Sequence, residues 1–294
     1  MANALELVAL SALMRLSAGR PEVVIGLIDG PVAMDHPDLA GNEIRELPGK
    51  ASGACSKADS LACLHGTFMA GILVAKRGSP APAICPNCTL LAYPIFADAP
   101  DNKEMPSATP ADLATAVLTC IEARARILNL SLALTNSFAK GERALSEALD
   151  HARRRGVIVV AAAGNQGSVG GTIITRHPWV IPVAACDAQG RPTRESNLGH
   201  SLGLRGLSAP GEAIASLGVD GKPITLGGTS VAVPFVAGAL ALLWSEFPAA
   251  SAAEVRAAVT QAIAGRRTTV TPPLLNAWAA YGLMNSQATR RTAS

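Results

Sequence analysis

Residues 228–234 read Gly-Thr-Ser-Val-Ala-Val-Pro, and they place Ser230 where a loop becomes a long apolar helix. Two glycines at 227–228 permit a tight turn that other residues would resist. The apolar pattern predicts a helix over about 229–247, whose first unpaired backbone N–H groups face any negative charge that develops beside the serine. Such a turn either caps a helix or presents a nucleophile, and upstream residues have to distinguish the two.

Two upstream segments carry side chains that could activate this serine. Residues 23–30, Val-Val-Ile-Gly-Leu-Ile-Asp-Gly, form an apolar run that reaches Asp29. This pattern is typical of a buried parallel strand, whose carboxyl end meets ligands in α/β folds. Residues 64–71, Leu-His-Gly-Thr-Phe-Met-Ala-Gly, place His65 at the start of a helix-like stretch. Either residue alone is more often structural, but the order Asp29, His65, Ser230 indicates catalysis by an activated serine.

A fourth segment offers a hydrogen-bond donor for an oxyanion. Residues 157–167, Val-Ile-Val-Val-Ala-Ala-Ala-Gly-Asn-Gln-Gly, form another apolar strand that ends in a small polar turn. Asn-Gln-Gly often does no more than make a turn. Beside the other three segments, however, the side-chain amide of Asn165 is predicted to donate to the oxyanion of an acyl-transfer reaction.

In chain order, these four segments resemble the motifs of the subtilisin-like serine peptidases over about residues 22–280. The resemblance implies that Asp29 orients and stabilises the imidazolium of His65, which acts as general base and then as general acid. It also implies that Ser230 attacks the peptide carbonyl and that Asn165 stabilises the tetrahedral oxyanion. Two further segments are similar to the substrate-backbone strand and the closing segment of that family, namely residues 127–132 and 274–280.

A narrower resemblance concerns the surroundings of Asp29. The aspartate is followed by Gly-Pro-Val, where the family usually has Ser-Gly or Thr-Gly. This departure removes a hydroxyl next to the carboxylate, so its hydrogen bonds must be built differently. Three short segments make the chain similar to the subtilisin-like proteases that mature cyanobactin-type ribosomal peptides: His36-Pro37-Asp38-Leu39, Cys85-Pro86-Asn87-Cys88 and Tyr93-Pro94-Ile95-Phe96.

The resemblance also predicts a substrate pocket and a function. The pocket for the side chain before the scissile bond (S1) would be lined by Ser131, Leu132, Ala133, Ala162, Ala163, Gly164 and Gln166. The predicted function is that of a serine endopeptidase that hydrolyses peptide bonds through an acyl-enzyme, acting on a ribosomal precursor peptide.

Three alternative functions share parts of this pattern. A peptide macrocyclase of the same family excludes water with a helical insertion between its aspartate and histidine. Asp29 and His65 are only 36 positions apart, and the residues between them are rich in Gly, Pro, Ser and Cys, which leaves little room for such a lid. A general intracellular subtilisin-like protease would carry the same four residues. A catalytically silent peptide-binding module would not need them, so their presence argues against it.

Length and composition predict one domain over residues 1–294, divided into an N-terminal helix (1–20), a catalytic core (22–280) and a tail (281–294). Hydrophobic residues make up 49% of the chain and charged residues 16%, which suits a buried sheet. Strand-like runs alternate with helical patterns, which predicts a doubly wound, mainly parallel sheet with helices on both faces. The runs lie near 22–28, 89–95, 126–132, 157–163 and 179–185, and segments 77–86 and 98–110 are predicted loops.

Charge and hydropathy give no indication of a nucleic-acid or membrane partner. The net charge is only +3. Three arginines at 153–155 end a helix predicted from Gly141, where they complement its C-terminal dipole. No run is expected to be long enough to span a membrane.

The N-terminal segment predicts where the enzyme works. Leu5, Val8, Leu13 and Leu16 recur on one face of a helix over residues 3–17, but Glu6 interrupts the apolar stretch and no basic region precedes it. A cleaved secretory signal is therefore not expected. The segment before Asp29 is also shorter than the folding propeptide of secreted subtilisins, so a cytoplasmic enzyme is predicted.

Cysteines and carboxylates do not form a convincing metal site in the sequence, so no metal and no cofactor is predicted. Asp38 falls where many subtilisins place a calcium ligand, but one carboxylate does not make a calcium site, and Asp38 is interpreted as a turn residue. Cys120 and Cys186 are expected to be buried thiols. Four further cysteines in loop-like segments could form disulfides in three pairings, bind zinc or stay reduced: Cys55, Cys63, Cys85 and Cys88.

Overall fold

The computed structural model describes residues 2–49, 55, 60–96, 108–132, 141–262 and 270–292. The helices are α1 (Ala2–Leu7), α2 (Leu10–Leu16), α3 (Leu61–Val74), α4 (Pro110–Glu122), α5 (Glu142–Arg155), α6 (Ile173–Arg176), α7 (His200–Arg205), α8 (Thr229–Glu246), α9 (Ala252–Gln261) and α10 (Ala277–Thr292). The strands are β1 (Val24–Asp29), β2 (Ile44–Glu46), β3 (Thr89–Pro94), β4 (Ile127–Leu130), β5 (Ile158–Ala162), β6 (Ile181–Cys186), β7 (Leu207–Pro210), β8 (Ile214–Leu217) and β9 (Pro223–Leu226).

Strands β1 to β7 form one parallel sheet in the order β2-β3-β1-β4-β5-β6-β7, whereas β8 and β9 form a separate antiparallel hairpin. The strand order reverses between β1 and β4, because β2 and β3 lie on one side of β1 and the later strands lie on the other. Open α/β sheets bind ligands outside the carboxyl ends of the strands at such a point. The predicted doubly wound, mainly parallel sheet is confirmed.

Each face of the sheet buries its own apolar core, because alternate side chains of a strand point to opposite faces. In β1, Ile25 and Leu27 enter the core that contains most of α3 and α8. Ile28 enters the second core, which lies against α4 and α5. Burial on both faces explains why the central strands are continuous apolar runs in the sequence.

All five strands predicted from apolar runs are present, as β1, β3, β4, β5 and β6. Four short strands were missed: β2 and β7 of the sheet, and β8 and β9 of the separate hairpin. Edge strand β2 has three residues and none of them is buried, so it leaves no apolar run. Strand β7 has only four residues, and its sequence Leu-Ser-Ala-Pro is too short and polar to stand out. The predicted loop at 98–110 lies outside the described residues up to position 107, and Pro110 is the first residue of α4.

The single helix predicted over residues 1–20 is wrong. The segment forms two short helices, α1 and α2, which are separated by Ala9 in the left-handed conformation at φ 52°. The break changes which side chains face inward: Leu10 and Leu13 are fully buried, while Leu16 is 50% exposed. The predicted tail at 281–294 is mostly helical as well, because α10 extends to Thr292.

Helix α8 is the central helix of the first core. With 18 residues, this helix is long and apolar enough to cross a membrane, contrary to the sequence prediction. However, 89% of them are buried inside the protein, as in the core helix of an α/β domain. In the part of the chain that the structure describes, no other helix has this length and hydropathy.

The cysteines separate into one disulfide and four buried thiols. Cys55 and Cys63 form a disulfide with their Cα atoms 5.5 Å apart, and Cys63 lies in the first turn of α3, not in the predicted loop. Cys85 and Cys88 are buried and reduced, and the pKa of the Cys85 thiol is raised by its hydrogen bond to Cys88 and by burial. The predicted buried thiols are confirmed, and burial raises the pKa of each to about 12: Cys120 and Cys186.

Candidate active site

The carboxylate of Asp29 and the imidazole of His65 are paired at the carboxyl end of β1. Asp29 is the last residue of β1 and is fully buried, and His65 is 8% exposed in the second turn of α3. The Nδ1 atom of His65 lies 2.7 Å from Asp29 Oδ1. The structure therefore brings together the two residues that the sequence predicted as the acid–base pair.

Backbone contact between α3 and the turn after β1 makes this pairing possible. A Cβ atom on Gly66 would collide with the carbonyl oxygen of Gly30, and one on Gly30 would collide with the carbonyl of Ala62. Glycine at both positions lets the helix approach the turn without a side chain between them. His65, next to Gly66, is thereby carried to the end of β1.

The second contact of Asp29 is with the backbone. The Gly30 N–H donates to Asp29 Oδ1 at 2.6 Å. Among the described residues, no group hydrogen-bonds to the other carboxylate oxygen, Oδ2. The position where related sequences have a hydroxyl is Gly30, and the next residue is Pro31, which has no N–H. The structure thus agrees with the prediction that this carboxylate is supported differently.

Ser230 lies in the first turn of α8, after a tight turn at Gly228. Gly228 has φ 115°, and a Cβ atom there would lie 3.0 Å from Asn165 Nδ2, so glycine is required on both grounds. Pro234 lies one helical turn after Ser230 and has no N–H to donate to its carbonyl. The Ser131 hydroxyl donates to that carbonyl instead, at 2.9 Å. Its own oxygen accepts from Asn129 Nδ2 at 2.8 Å, so this side chain holds the first turn of α8.

Two hydrogen bonds from Thr229 fix the amide of Asn165. Asn165 Oδ1 accepts from the backbone N–H of Thr229 at 2.9 Å and from its hydroxyl at 3.0 Å. The Thr229 hydroxyl in turn accepts from the Gly164 N–H at 3.1 Å. Because a backbone N–H can only donate, the atom facing it is the amide oxygen. Nδ2 is therefore the part of Asn165 that remains for a ligand, as an oxyanion donor requires.

His65, Asn165 and Ser230 border one cleft of about 120 Å³. Its wall contains no Asp, Glu, Lys or Arg among the described residues, so His65 is its only titratable side chain. The lining residues are His65, Phe96, Ser131, Leu132, Ala162, Gly164, Asn165, Gln166, Thr229 and Ser230.

Of the seven predicted S1 residues, five line this cleft: Ser131, Leu132, Ala162, Gly164 and Gln166. Ala163 does not, because alternate strand residues face opposite sides and it packs against Ala184 and Leu202. Ala133 lies outside the described residues. Phe96 was missed as a lining residue, although its position shortly after β3 at the same sheet edge was a usable signal.

Sequence reasoning also missed Asn197. This half-buried side chain lies outside the cleft and makes five hydrogen bonds to the turn that carries Asn165 and Gln166. Its partners lie 29 to 34 positions away in the chain. No local pattern signals such a contact, since it depends on how two loops meet.

The described residues contain no group of three or more His, Cys, Asp or Glu side chains that could hold a metal ion. Asp38 lies in a turn, as predicted. Its N–H donates to His36 Nδ1 at 3.1 Å, and its carbonyl accepts from the Lys76 N–H at 2.9 Å. Its backbone therefore serves to hold the turn against the end of α3.

Comparison with known proteins supports the same assignment. The sequence matches the subtilase family over residues 20–282. Subtilisin DY of Bacillus licheniformis is 31% identical over 242 residues, which cover 80% of this chain and 81% of that protein. The protease domain of PatA superposes with a TM-score of 0.83 at 31% identity, over 92% of this chain and 97% of that chain. The PatG macrocyclase shares the fold, with a TM-score of 0.81 at 21% identity, over 95% of this chain and 96% of that chain.

The family match includes all four residues that the fold brings to the sheet edge: Asp29, His65, Asn165 and Ser230. A parallel sheet with a buried carboxylate–imidazole pair, a serine at a helix start and a fixed amide donor is the arrangement that serine peptidases need. The chain therefore belongs to the subtilase family, and it is a serine endopeptidase.

Proposed function

We propose that this enzyme cleaves a ribosomal precursor peptide at a small number of sites and releases linear acid products. The catalytic part of the proposal rests chiefly on one observation. Asp29 Oδ1 and His65 Nδ1 lie 2.7 Å apart beside the cleft that also contains Ser230. This pairing gives the imidazole a fixed orientation and a partner for positive charge, which a serine nucleophile requires of its base.

The proton path follows from which ring nitrogen of His65 is hydrogen-bonded to Asp29. With Nδ1–H donated to the carboxylate, Nε2 of His65 is the nitrogen available to Ser230. In the proposed reaction, Nε2 takes the Ser230 proton while Oγ attacks the peptide carbonyl. The imidazolium is stabilised by Asp29 and then protonates the departing amine, which leaves an acyl group on Ser230. A water molecule deprotonated by His65 hydrolyses this ester and regenerates the serine.

The negative charge of the tetrahedral intermediate would be met by Asn165. Its Nδ2 is directed away from Thr229, because both bonds from Thr229 go to Oδ1. The N–H groups at the start of α8 also favour negative charge near Ser230. These donors are held before substrate binds, so little reorganisation is needed when charge develops.

A precursor peptide is the proposed substrate because PatA, which has the same fold and is 31% identical in its protease domain, is a patellamide maturation protease. A cleft of about 120 Å³ with mainly uncharged walls also suits a restricted set of side chains. A cytoplasmic location stays a prediction, and the Cys55–Cys63 disulfide does not favour it, because disulfides persist chiefly in oxidising compartments.

The test is digestion of a random peptide library in ¹⁸O-labelled water, followed by mass spectrometry of the products. Hydrolysis of an acyl-enzyme places the label in each new carboxyl group. We expect linear, labelled products from a few related cleavage sites. Ser230→Ala, purified in the same way, is the matched control and should yield none of them.

Three other results would overturn parts of the proposal. Predominantly cyclic, unlabelled products would identify a macrocyclase that uses the same residues. Cleavage at many unrelated sites would identify a general protease. A folded wild-type protein that binds peptides but yields no product, even after long incubation, would indicate a binding module.

A further inference from the structure

Asn197 is oriented by the backbone of the turn that follows β5. Its Oδ1 accepts from the N–H groups of Gln166 and Ser168, each at 3.0 Å, and from the Ser168 hydroxyl at 3.0 Å. Two of these donors are backbone N–H groups, which have no acceptor function. The oxygen of the Asn197 amide therefore faces the turn, and its NH2 group faces the opposite way.

The Asn197 NH2 group then determines how the Gln166 amide is turned. Nδ2 of Asn197 donates to the carbonyl of Ala163 at 3.1 Å and to Oε1 of Gln166 at 2.7 Å. Since Nδ2 can only donate, the Gln166 atom beside it must be the oxygen. The NH2 group of Gln166 is left free of any partner among the described residues, on a side chain that lines the cleft.

Gly164 leaves the space in which this pair of amides meets. It has φ 100°, and a Cβ atom there would collide with Asn197 Nδ2 and lie 2.7 Å from Gln166 Oε1. The Asn197 N–H also donates to the Gly164 carbonyl at 2.9 Å. The turn and the Asn197 loop are thus connected through both backbone and side chain, and the Gln166 orientation is part of that connection.

We propose that Asn197 is a positioning residue that turns the NH2 group of Gln166 toward the substrate, so that the enzyme prefers a hydrogen-bond acceptor on the side chain before the scissile bond. The residues with such a side chain are Asn, Gln, Asp and Glu. A lysine there is disfavoured, because the NH2 group of Gln166 can only donate and the described wall of the cleft contains no carboxylate. This inference rests on the proposed function, since it requires that the cleft beside Ser230 receives that side chain.

The test uses three peptides that share one sequence cleaved in the library digest and differ only before the cleaved bond, where they carry Gln, Met or Lys. Met matches Gln in length but has no strong acceptor. For the wild-type enzyme we expect kcat/KM to be about threefold to tenfold higher with Gln than with Met, which is the range of one hydrogen bond, and lowest with Lys. Ratios between substrates do not depend on the fraction of enzyme that is folded.

Three variants separate the positioning role from a structural one. Gln166→Met removes the donor and should bring the Gln-to-Met ratio close to one. Asn197→Asp replaces the NH2 group with an oxygen, so the Gln166 amide should turn over, present its own oxygen and shift the preference toward Lys. Gln166→Glu should cause the same shift while Asn197 keeps all its bonds, which preserves the test if Asn197→Asp does not fold.

The decisive comparison is Asn197→Asp in the Gln166→Met background. If Asn197 acts through Gln166, the substitution should leave the substrate ratios of that background unchanged. The inference is overturned if wild type cleaves the Met peptide as fast as the Gln peptide, or if Asn197→Asp slows all three peptides equally. In either case, cleavage that still depends on Ser230 would leave the proposed function intact.

Discussion

The two halves of the cleft are held in opposite ways. The acid–base half, Asp29 and His65, is buried, and its carboxylate has only two hydrogen-bond partners among the described residues. The acyl half, Asn165 and Gln166, is exposed, and it is fixed by a network through Thr229 and Asn197. Packing immobilises side chains in the first half, whereas hydrogen bonds must do so in the second.

Substitutions in the two halves should therefore lower the rate to different extents. In the proposed mechanism, each side chain of the acid–base half supplies chemistry that no neighbour can replace. In the acyl half, Asn165 would contact the reacting atoms and Thr229 would only orient it, so we expect graded effects on the rate.

The largest effect is expected from Ser230→Ala and from His65→Ala. Each should lower kcat for peptide hydrolysis by about a millionfold, the size known for subtilisin, because nucleophile and base act as one unit. The double variant should be no worse than either single one. The stability of Ser230→Ala should change little, since Ser230 is only half-buried. A double variant whose loss in kcat equals the product of the two single losses would contradict the assignment.

Asp29→Ala should have a smaller effect, about ten-thousandfold on kcat, again as in subtilisin. The histidine remains in place but loses its orienting partner. The substitution leaves Gly30 N–H and His65 Nδ1 without their acceptor, but it also removes a buried carboxylate oxygen that has no described partner, so the thermal midpoint should fall by no more than about 3 °C. A decrease of several degrees, measured by calorimetry, would show that Asp29 stabilises the fold through more than its two described hydrogen bonds.

The acyl half should show two graded steps. Asn165→Ala removes the oxyanion donor and should lower kcat by about a hundredfold to a thousandfold with little change in KM. Thr229→Val removes the hydroxyl that joins Gly164 and Asn165, and it should lower kcat by about tenfold. Thr229→Ser keeps that hydroxyl and is the control. Equal losses with valine and serine would mean that the hydroxyl does not position the amide.

The smallest effect is expected from metal chelation. The described residues offer no cluster of metal ligands, and the Asp38 turn is held through its backbone. EDTA should therefore shift the thermal midpoint by less than about 2 °C and leave the rate of peptide hydrolysis unchanged. A larger fall that added calcium reverses would reveal a calcium site.

The residues of the acid–base half could be predicted from the sequence because each lies in a buried apolar run. Asp29 is the last residue of strand β1, and His65 lies in the second turn of helix α3. The same holds for Ser230 at the start of α8 and for Asn165 shortly after β5. Buried elements appear in a sequence as apolar runs, and these runs indicated where the four predicted site residues lie.

The contacts that orient the site could not be predicted, because each joins segments that lie far apart in the chain. Asn197 reaches Gln166 across 31 positions, and Ser131 reaches the Ser230 carbonyl across 99. Propensity and periodicity describe neighbours along one element, so they contain no information about such meetings. The break at Ala9 was missed for a related reason, since no glycine or proline marks it and tertiary packing overrides the helical pattern.

Whether Ser230 is a nucleophile activated by the buried pair Asp29 and His65 is tested by the intact mass of the protein after reaction with a fluorophosphonate. We expect one covalent adduct on the wild-type chain, located on Ser230, and none on folded Ser230→Ala. His65→Ala should react far more slowly, because the serine would lose its base. A folded wild-type protein that stays unlabelled, or a Ser230→Ala variant that is labelled equally well, would contradict this role of Ser230.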